Sequence, residues 1–268
     1  MESSKDFTNN DIYFMEVVSD KIIINDNYDG VLILDSELNI IKRIKLLDDL
    51  MIYLSFIKEN EIILYCYENQ CLIYINIDSY AYDIILLDAD LNERIFLPFY
   101  EWVDNDLILL ADSGNIFVHV NLLDNKAQII QKNTIEKFQV SIYDDWNKLN
   151  KFLMYKVYPN RYHAVIKSKN VIMLMNYKND TESVLKIVPI KFHDIEVATT
   201  NCAAQISESE ISVMYGGKNV VLYPKDQYYR FLRGKFITID KTDYLLLLLS
   251  SNFDSTNAKI EKYPLKEL

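Results

Sequence analysis

Glycine and proline are scarce in this chain, with five of each in 268 residues. That scarcity excludes collagen-like and low-complexity architectures and leaves no flexible linker to separate domains. Cysteine is scarcer still. Cys66, Cys71 and Cys202 form an odd set without metal-ligand spacing, which argues against a disulfide framework and for a reducing compartment. Cys66 and Cys71 flank a predicted turn, where they either face each other across a hairpin or fill the core as small thiols. The longest strongly apolar run, residues 244–249, is far below the roughly 20 residues of a membrane helix and reads as a buried strand. The first eleven residues, MESSKDFTNND, lack the basic start and apolar run of a secretory signal, so the expected location is cytoplasmic, with no membrane association.

Motifs of catalysis are also missing. The three histidines, His119, His163 and His193, are scattered, without His-Glu-x-x-His or His-x-His spacing. There is no Gly-x-Ser-x-Gly elbow, and residues 214–218 (MYGGK) lack the spacing of a phosphate-binding loop. Trp102 precedes Val103 rather than Asp, so the WD40 signature is absent. No cofactor is expected.

What the chain does contain is a recurring unit of strand, polar turn, strand, turn, strand. The clearest copies start at Lys21, Glu61 and Asp106, and weaker ones at Tyr162, Ile211 and Tyr244. Anchoring the middle turns on Gly30, Gln70, Gly114, Asn170, Asn219 and Ala258 gives spacings of 40, 44, 56, 49 and 39 residues, the period of four-stranded propeller blades. The stretches alternate apolar and polar residues or are apolar throughout, as strands buried on both faces must be. The predicted fold is all-β: a β-propeller of six blades, with five as the alternative, forming one domain over 1–268 with an insertion at 132–151. The sixth unit ends after its third strand, so the N-terminal segment around residues 5–8 is placed to add the outermost strand and close the ring. With so few glycines, Asn and Asp must supply the left-handed turn conformations.

Charge is unevenly spread. Residues 1–112 hold 23 Asp plus Glu against 7 Lys plus Arg, whereas residues 113–268 hold 16 against 21. In the first three units the turns between second and third strands, and the links between units, carry Asp26, Asp29, Asp48, Asp49, Glu68, Asp88, Asp90, Glu93 and Asp112. A field of this sign repels phosphate and speeds encounter with a basic partner, so nucleic-acid binding is disfavoured and a basic protein is the expected partner of a free monomer. The insertion contains Phe138, Tyr143, Asp144, Asp145 and Trp146, and reads either as a short helix begun by Thr134 and Glu136 or as a strand. Long loops on a regular scaffold favour contact, and Trp and Tyr serve as anchors at interfaces.

The expected partner-binding set is therefore Asp48, Asp49, Asp88, Asp90 and Glu93, with Tyr143, Asp144, Asp145 and Trp146. A metal-dependent hydrolase, lactonase-like, is the alternative: Glu16, Glu101 and Glu196 fall near the first strands of alternate units, where carboxylates around a channel can hold a hard cation. Small size, acidity, degenerate repeats and a composition rich in Ile, Asn, Lys and Tyr resemble bacterial immunity proteins of the contact-dependent growth-inhibition and polymorphic-toxin type. That resemblance implies neutralisation of a toxin, often a nuclease, by covering its active or nucleic-acid-binding surface.

Overall fold

The structure is a computed structural model that describes residues 3–95, 99–111, 116–131, 135–138, 154–158, 163–168, 171–176, 181–185, 191–199 and 201–268. The described strands pair into six four-stranded antiparallel sheets. Sheet I runs β2 (Met15–Val18), β3 (Lys21–Asp26), β4 (Gly30–Leu34) and β5 (Ile40–Lys45). Sheet II runs β6 (Leu54–Lys58), β7 (Glu61–Cys66), β8 (Cys71–Asn76) and β9 (Tyr82–Leu86), and sheet III runs β10 (Tyr100–Val103), β11 (Asp106–Ala111), β12 (Ile116–Asn121) and β13 (Lys126–Gln131). Sheet IV holds β14 (Met154–Tyr158), β15 (His163–Ser168), β16 (Val171–Asn176) and β17 (Thr181–Val184); sheet V holds β18 (Asp194–Thr199), β19 (Cys202–Ile206), β20 (Ile211–Tyr215) and β21 (Lys218–Leu222). Sheet VI joins both ends of the sequence: β22 (Tyr229–Ile239), β23 (Thr242–Ser251) and β24 (Ala258–Pro264), with β1 (Ser3–Phe7) on its outer edge.

The expected N-terminal strand is thus present, with Ser3 opposite Lys262 and Phe7 opposite Ala258. It covers the edge that β24 would otherwise expose. The fifth repeat is corrected. Asn219 lies on the third-to-fourth-strand side of sheet V, whereas the turn equivalent to the others is Ser207–Glu210, between β19 and β20. The copy assigned to Ile211 accordingly begins at the third strand of its sheet, whereas those at Lys21, Glu61, Asp106 and Tyr244 begin at or within the second.

Two compact units emerge: Met1–Leu50 with Lys186–Leu268, carrying sheets I, V and VI, and Met51–Leu185, carrying sheets II, III and IV. In the first unit, sheet VI packs on both faces. Leu246, Leu248 and Ile260 join Met15, Ile22, Ile24, Leu32 and Leu34 of sheet I in one core. Leu245, Leu247, Leu249 and Tyr263 join Ala204, Ile206, Ile211 and Val213 of sheet V in another. The five-leucine run is therefore period-two alternation between two apolar cores, which is why it shows no polar residue. In the second unit, Phe56, Ile63 and Leu72 of sheet II pack against Leu107, Leu109 and Val118 of sheet III.

Fourth strands behave differently. The β5 sequence IIKRIK is exposed except at Ile44, and β17 is exposed throughout. Lys42, Arg43 and Lys45 place like charge along the β5 edge, which discourages edge-to-edge pairing. Left-handed turn positions are filled as composition demands: twelve non-glycine described residues have positive φ, and Asn9, Asn27, Asp49, Asp104, Asn125 and Asp240 are half of them. Asn and Asp take that conformation at low cost because a short polar side chain bonds locally.

Cys66 and Cys71 are the last cross-strand pair before the β7–β8 turn, both buried and both free thiols. Hydrogen bonding between them, with burial, pushes the Cys66 thiol up, and the same bond holds Cys71 below the usual thiol range. They face each other across the hairpin as small core groups.

Candidate functional site

Antiparallel four-stranded sheets place three segments at one end: the connection into the first strand, the turn between second and third strands, and the connection leaving the fourth. We term this the connector end. In sheet I it is organised by side-chain amides. Asn25 Oδ1 accepts from the Tyr13 and Phe14 backbone N–H groups, and Asn25 Nδ2 donates to the Asp11 and Asn27 carbonyls. Asn27 N–H donates to Asn10 Oδ1, and Asn10 Nδ2 donates to Asp26 Oδ1. The outgoing connection is tied in as well, since Leu46 N–H donates to the Asp29 carbonyl and Leu50 N–H to the Tyr28 carbonyl. Gly30 is required at this junction. A Cβ there would lie 2.0 Å from the Ile44 carbonyl oxygen.

This geometry sorts the expected acidic residues. Asp26 is buried, bonded by Asn10 and 3.1 Å from Arg43 Nε, so it is a structural member of the network and not part of a binding surface. Asp48 and Asp49 are exposed on the outgoing connection, and Asp48 lies 3.4 Å from the exposed Lys45 ammonium. Asp29 is exposed on the turn itself. The neighbouring connector ends of the same unit add Glu208, Asp226 and Asp254, all exposed. Asn10 N–H donates to the Thr256 carbonyl, joining the β23–β24 turn of sheet VI to the connection into sheet I, and Arg230 lies 3.3 Å from Glu208 at the sheet V turn.

Sheet II solves the same problem by combining a tyrosine hydroxyl with amides. Tyr65 OH, fully buried, donates to the backbone carbonyl of Asn92 and contacts its Oδ1, while Asn92 Nδ2 donates to the Tyr67 carbonyl. Burial pushes the Tyr65 hydroxyl well above its ordinary range. Asn92 sits at the end of a single helical turn, α1 (Ala89–Asn92), whose N-cap is Asp88: its carboxylate accepts from Leu91 N–H at 2.8 Å. Asp90 is bonded to Arg94 at 2.8 Å on the same turn. Asp88, Asp90 and Glu93 are all exposed, but Asp88 caps a helix and Asp90 is half of an ion pair. Tyr143, Asp144, Asp145 and Trp146 lie outside the described residues, as does Asp112. Of the insertion, Ile135 is buried and Glu136–Phe138 form one 3₁₀ turn, with the Phe138 ring 4.8 Å from His119.

Aromatic pairs escaped the sequence reading. Tyr13 stacks on Tyr28 at 5.8 Å in sheet I, Tyr53 packs on Tyr67 at 5.8 Å in sheet II, and Tyr228 on Phe253 at 5.5 Å in sheet VI. In each, one ring precedes the first strand and the other lies in the turn between second and third strands. The available signal was an aromatic at both of these positions in the same repeat.

The carboxylates of the hydrolase alternative fall on first strands: Glu16 on β2, Glu101 on β10 and Glu196 on β18. Glu16 and Glu196 do meet, but around a cation. Lys235 Nζ of β22 lies 2.9 Å from Glu16 and 3.5 Å from Glu196, all three side chains being largely buried. A buried carboxylate is retained when an opposite charge shares its site, and here the chain supplies that charge itself. Glu101 is half-buried opposite Ile108 in the other unit. Among the described residues, no three His, Cys, Asp or Glu side chains converge in metal-holding geometry. His119 Nε2 is 2.7 Å from Asp106 and His193 Nε2 is 2.9 Å from the Leu232 carbonyl, so each is engaged within its own unit.

No protein-family model matches the sequence, and no curated protein matches it. Solved structures are similar in fold. Virginiamycin B lyase from Staphylococcus aureus aligns over 98% of this chain and 88% of its own at 11% identity, with a TM-score of 0.43. The Cps50 (Swd1) β-propeller domain of Myceliophteria thermophila aligns over 97% and 99% at 8% identity, with a TM-score of 0.44. Hsv2 of Kluyvelomyces marxianus aligns over 94% and 85% at 10% identity, with a TM-score of 0.39. All three likenesses are distant, and the fold of this chain is defined by its own six sheets.

Proposed function

We propose that this chain is a non-enzymatic binding protein: a six-bladed β-propeller, closed by β1, that presents an acidic connector end to a basic protein partner. In its most specific form the reading is a cytoplasmic immunity protein that neutralises a basic, nuclease-type toxin by occupying the cleft that otherwise receives phosphate. The observation that carries it is the concentration of exposed carboxylates at the connector ends of individual sheets: Asp29, Asp48, Asp49, Asp226 and Asp254 within one unit and, separately, Glu68, Asp88 and Glu93 within the other. The unequal charge of the two halves of the sequence supports the same reading, since a net field of one sign steers a partner of the other. The folding role of Asp26, Asp88 and Asp90 narrows the recognition set. Asp29, Asp48, Asp49 and Glu93 remain as exposed carboxylates at these connections, Asp48 being paired with the exposed Lys45 at 3.4 Å.

The test is binding between the full chain and the protein encoded beside it, measured over a range of salt concentrations. Reversing Asp29, Asp48, Asp49 and Glu93 to lysine is expected to weaken affinity at least tenfold and flatten its salt dependence, because fast encounter between charged surfaces is screened by salt. Unchanged affinity and slope in that variant, with an unchanged melting temperature, would refute the acidic-end reading.

A further inference from the structure

At least one ring of each aromatic pair is exposed. Tyr28 is 36% accessible, Tyr53 55%, Tyr67 42%, Tyr228 51% and Phe253 80%. In sheets I and II a carboxylate accepts from a ring hydroxyl of the pair, and in sheet VI acidic residues neighbour both rings in sequence. Tyr28 OH donates to Asp11 at 2.8 Å and Tyr53 OH to Glu68 at 3.0 Å, which raises both phenols above their ordinary range. In sheet VI, Asp226 accepts the Tyr228 N–H, and Asp254 follows Phe253 in the turn.

We infer that these ring pairs are seats for arginine side chains of the basic partner. The inference rests on the binding reading above and specifies what that end of each sheet recognises. Carboxylates alone attract lysine and arginine alike. A guanidinium, however, is planar and weakly hydrated, so it stacks on an aromatic face while its N–H groups reach a flanking carboxylate. Two rings repeated at the same two positions in three sheets, with a carboxylate bonded to a ring hydroxyl in sheets I and II, match that geometry. A tyrosine-rich composition by itself does not place aromatics at the same two positions of a repeat. The hydroxyls of Tyr28 and Tyr53 are already committed to Asp11 and Glu68, so what these residues offer a partner is the ring face. Binding at Tyr28 would also bring the arginine close to Asp29 on the same turn.

Titration of the full chain with nona-arginine and with nona-lysine peptides, at low and at physiological salt, tests the assignment. Nona-arginine is expected to bind about tenfold more tightly than nona-lysine, given the usual strength of stacked cations. In the triple variant Tyr28→Leu, Tyr53→Leu, Phe253→Leu that preference should vanish while the salt dependence persists. Circular dichroism melting of the variant checks that the sheets are intact. If both peptides bind equally and with strong salt dependence, or if the preference survives the leucines, the arginine assignment fails and the acidic end stands. If neither peptide binds, both readings fall.

Discussion

Sheets I and II face one construction problem and solve it with different chemistry. Each must tie its incoming connection, the turn between second and third strands, and its outgoing connection into one end. Sheet I does so with amides, centred on the buried Asn25 and its four hydrogen bonds. Sheet II adds to its Asn69 and Asn92 amides the buried Tyr65 hydroxyl, which reaches a helical turn after β9. An amide satisfies two acceptors and two donors at once, whereas a phenol reaches farther but serves fewer backbone groups. The lesson is that the repeat conserves the position of the tie and not its residues, which is why the copies look degenerate as sequence.

Substitutions break this comparison in order of size. Gly30→Ala should cost most, about 3 kcal/mol or somewhat more, because the new Cβ meets a backbone carbonyl that cannot move without shifting β5. Thermal melting should then fall by roughly 10 °C. Asn25→Ala strands the Tyr13 and Phe14 N–H groups and should cost about 2 to 3 kcal/mol, read by urea denaturation at constant m-value. Tyr65→Phe removes a single hydroxyl from an otherwise unchanged ring, so about 1 kcal/mol is expected by the same measurement, with hydrogen exchange faster around α1. A loss for Tyr65→Phe as large as that for Asn25→Ala would contradict the ranking. Gln70→Gly should be neutral or stabilising by a few tenths of a kcal/mol, because Gln70 sits at φ 48° without a steric need for its side chain.

The smallest effect is on pH. Folding raises the Tyr28 and Tyr53 phenols, chiefly through hydrogen bonds to Asp11 and Glu68. A group whose pKa is raised in the folded state contributes stability that is fully present below its unfolded value and is lost as pH rises through the folded one. These two hydroxyls therefore hold their carboxylates throughout the ordinary phenol-protonated range and release them only as pH rises through the raised folded values. Asp11→Asn should return the Tyr28 titration, followed by NMR, toward its ordinary range and leave Tyr53 unchanged.

Much of the fold was readable because sheets buried on both faces force continuous apolar runs, as in β3, β4, β7 and β23, and because an unpaired β24 edge demanded a strand from the N-terminus. The fifth sheet was misread for a physical reason. Its conspicuous turn is Gly216-Gly217, where both residues take positive φ, whereas the turn that matters, around Ser207, is held by Ser207 Oγ and carries no glycine or asparagine. At the connector end, the acidic character was readable but its division was not. Asp26 is claimed by Asn10 and Arg43, and Asp88 by the helical turn it caps, contacts that the local sequence does not announce. The ring pairs were hidden for a similar reason, since Tyr228 and Phe253 meet only once two strands intervene between them.

Hydrogen–deuterium exchange of the full chain with and without nona-arginine reports where a cationic ligand sits without prior choice of residues. Binding at the connector ends predicts protection confined to them, above all at residues 9–14, 27–29, 46–50 and 252–257, with the opposite turns unaffected. Protection centred on those opposite turns, or on the β-strand edges, would contradict it.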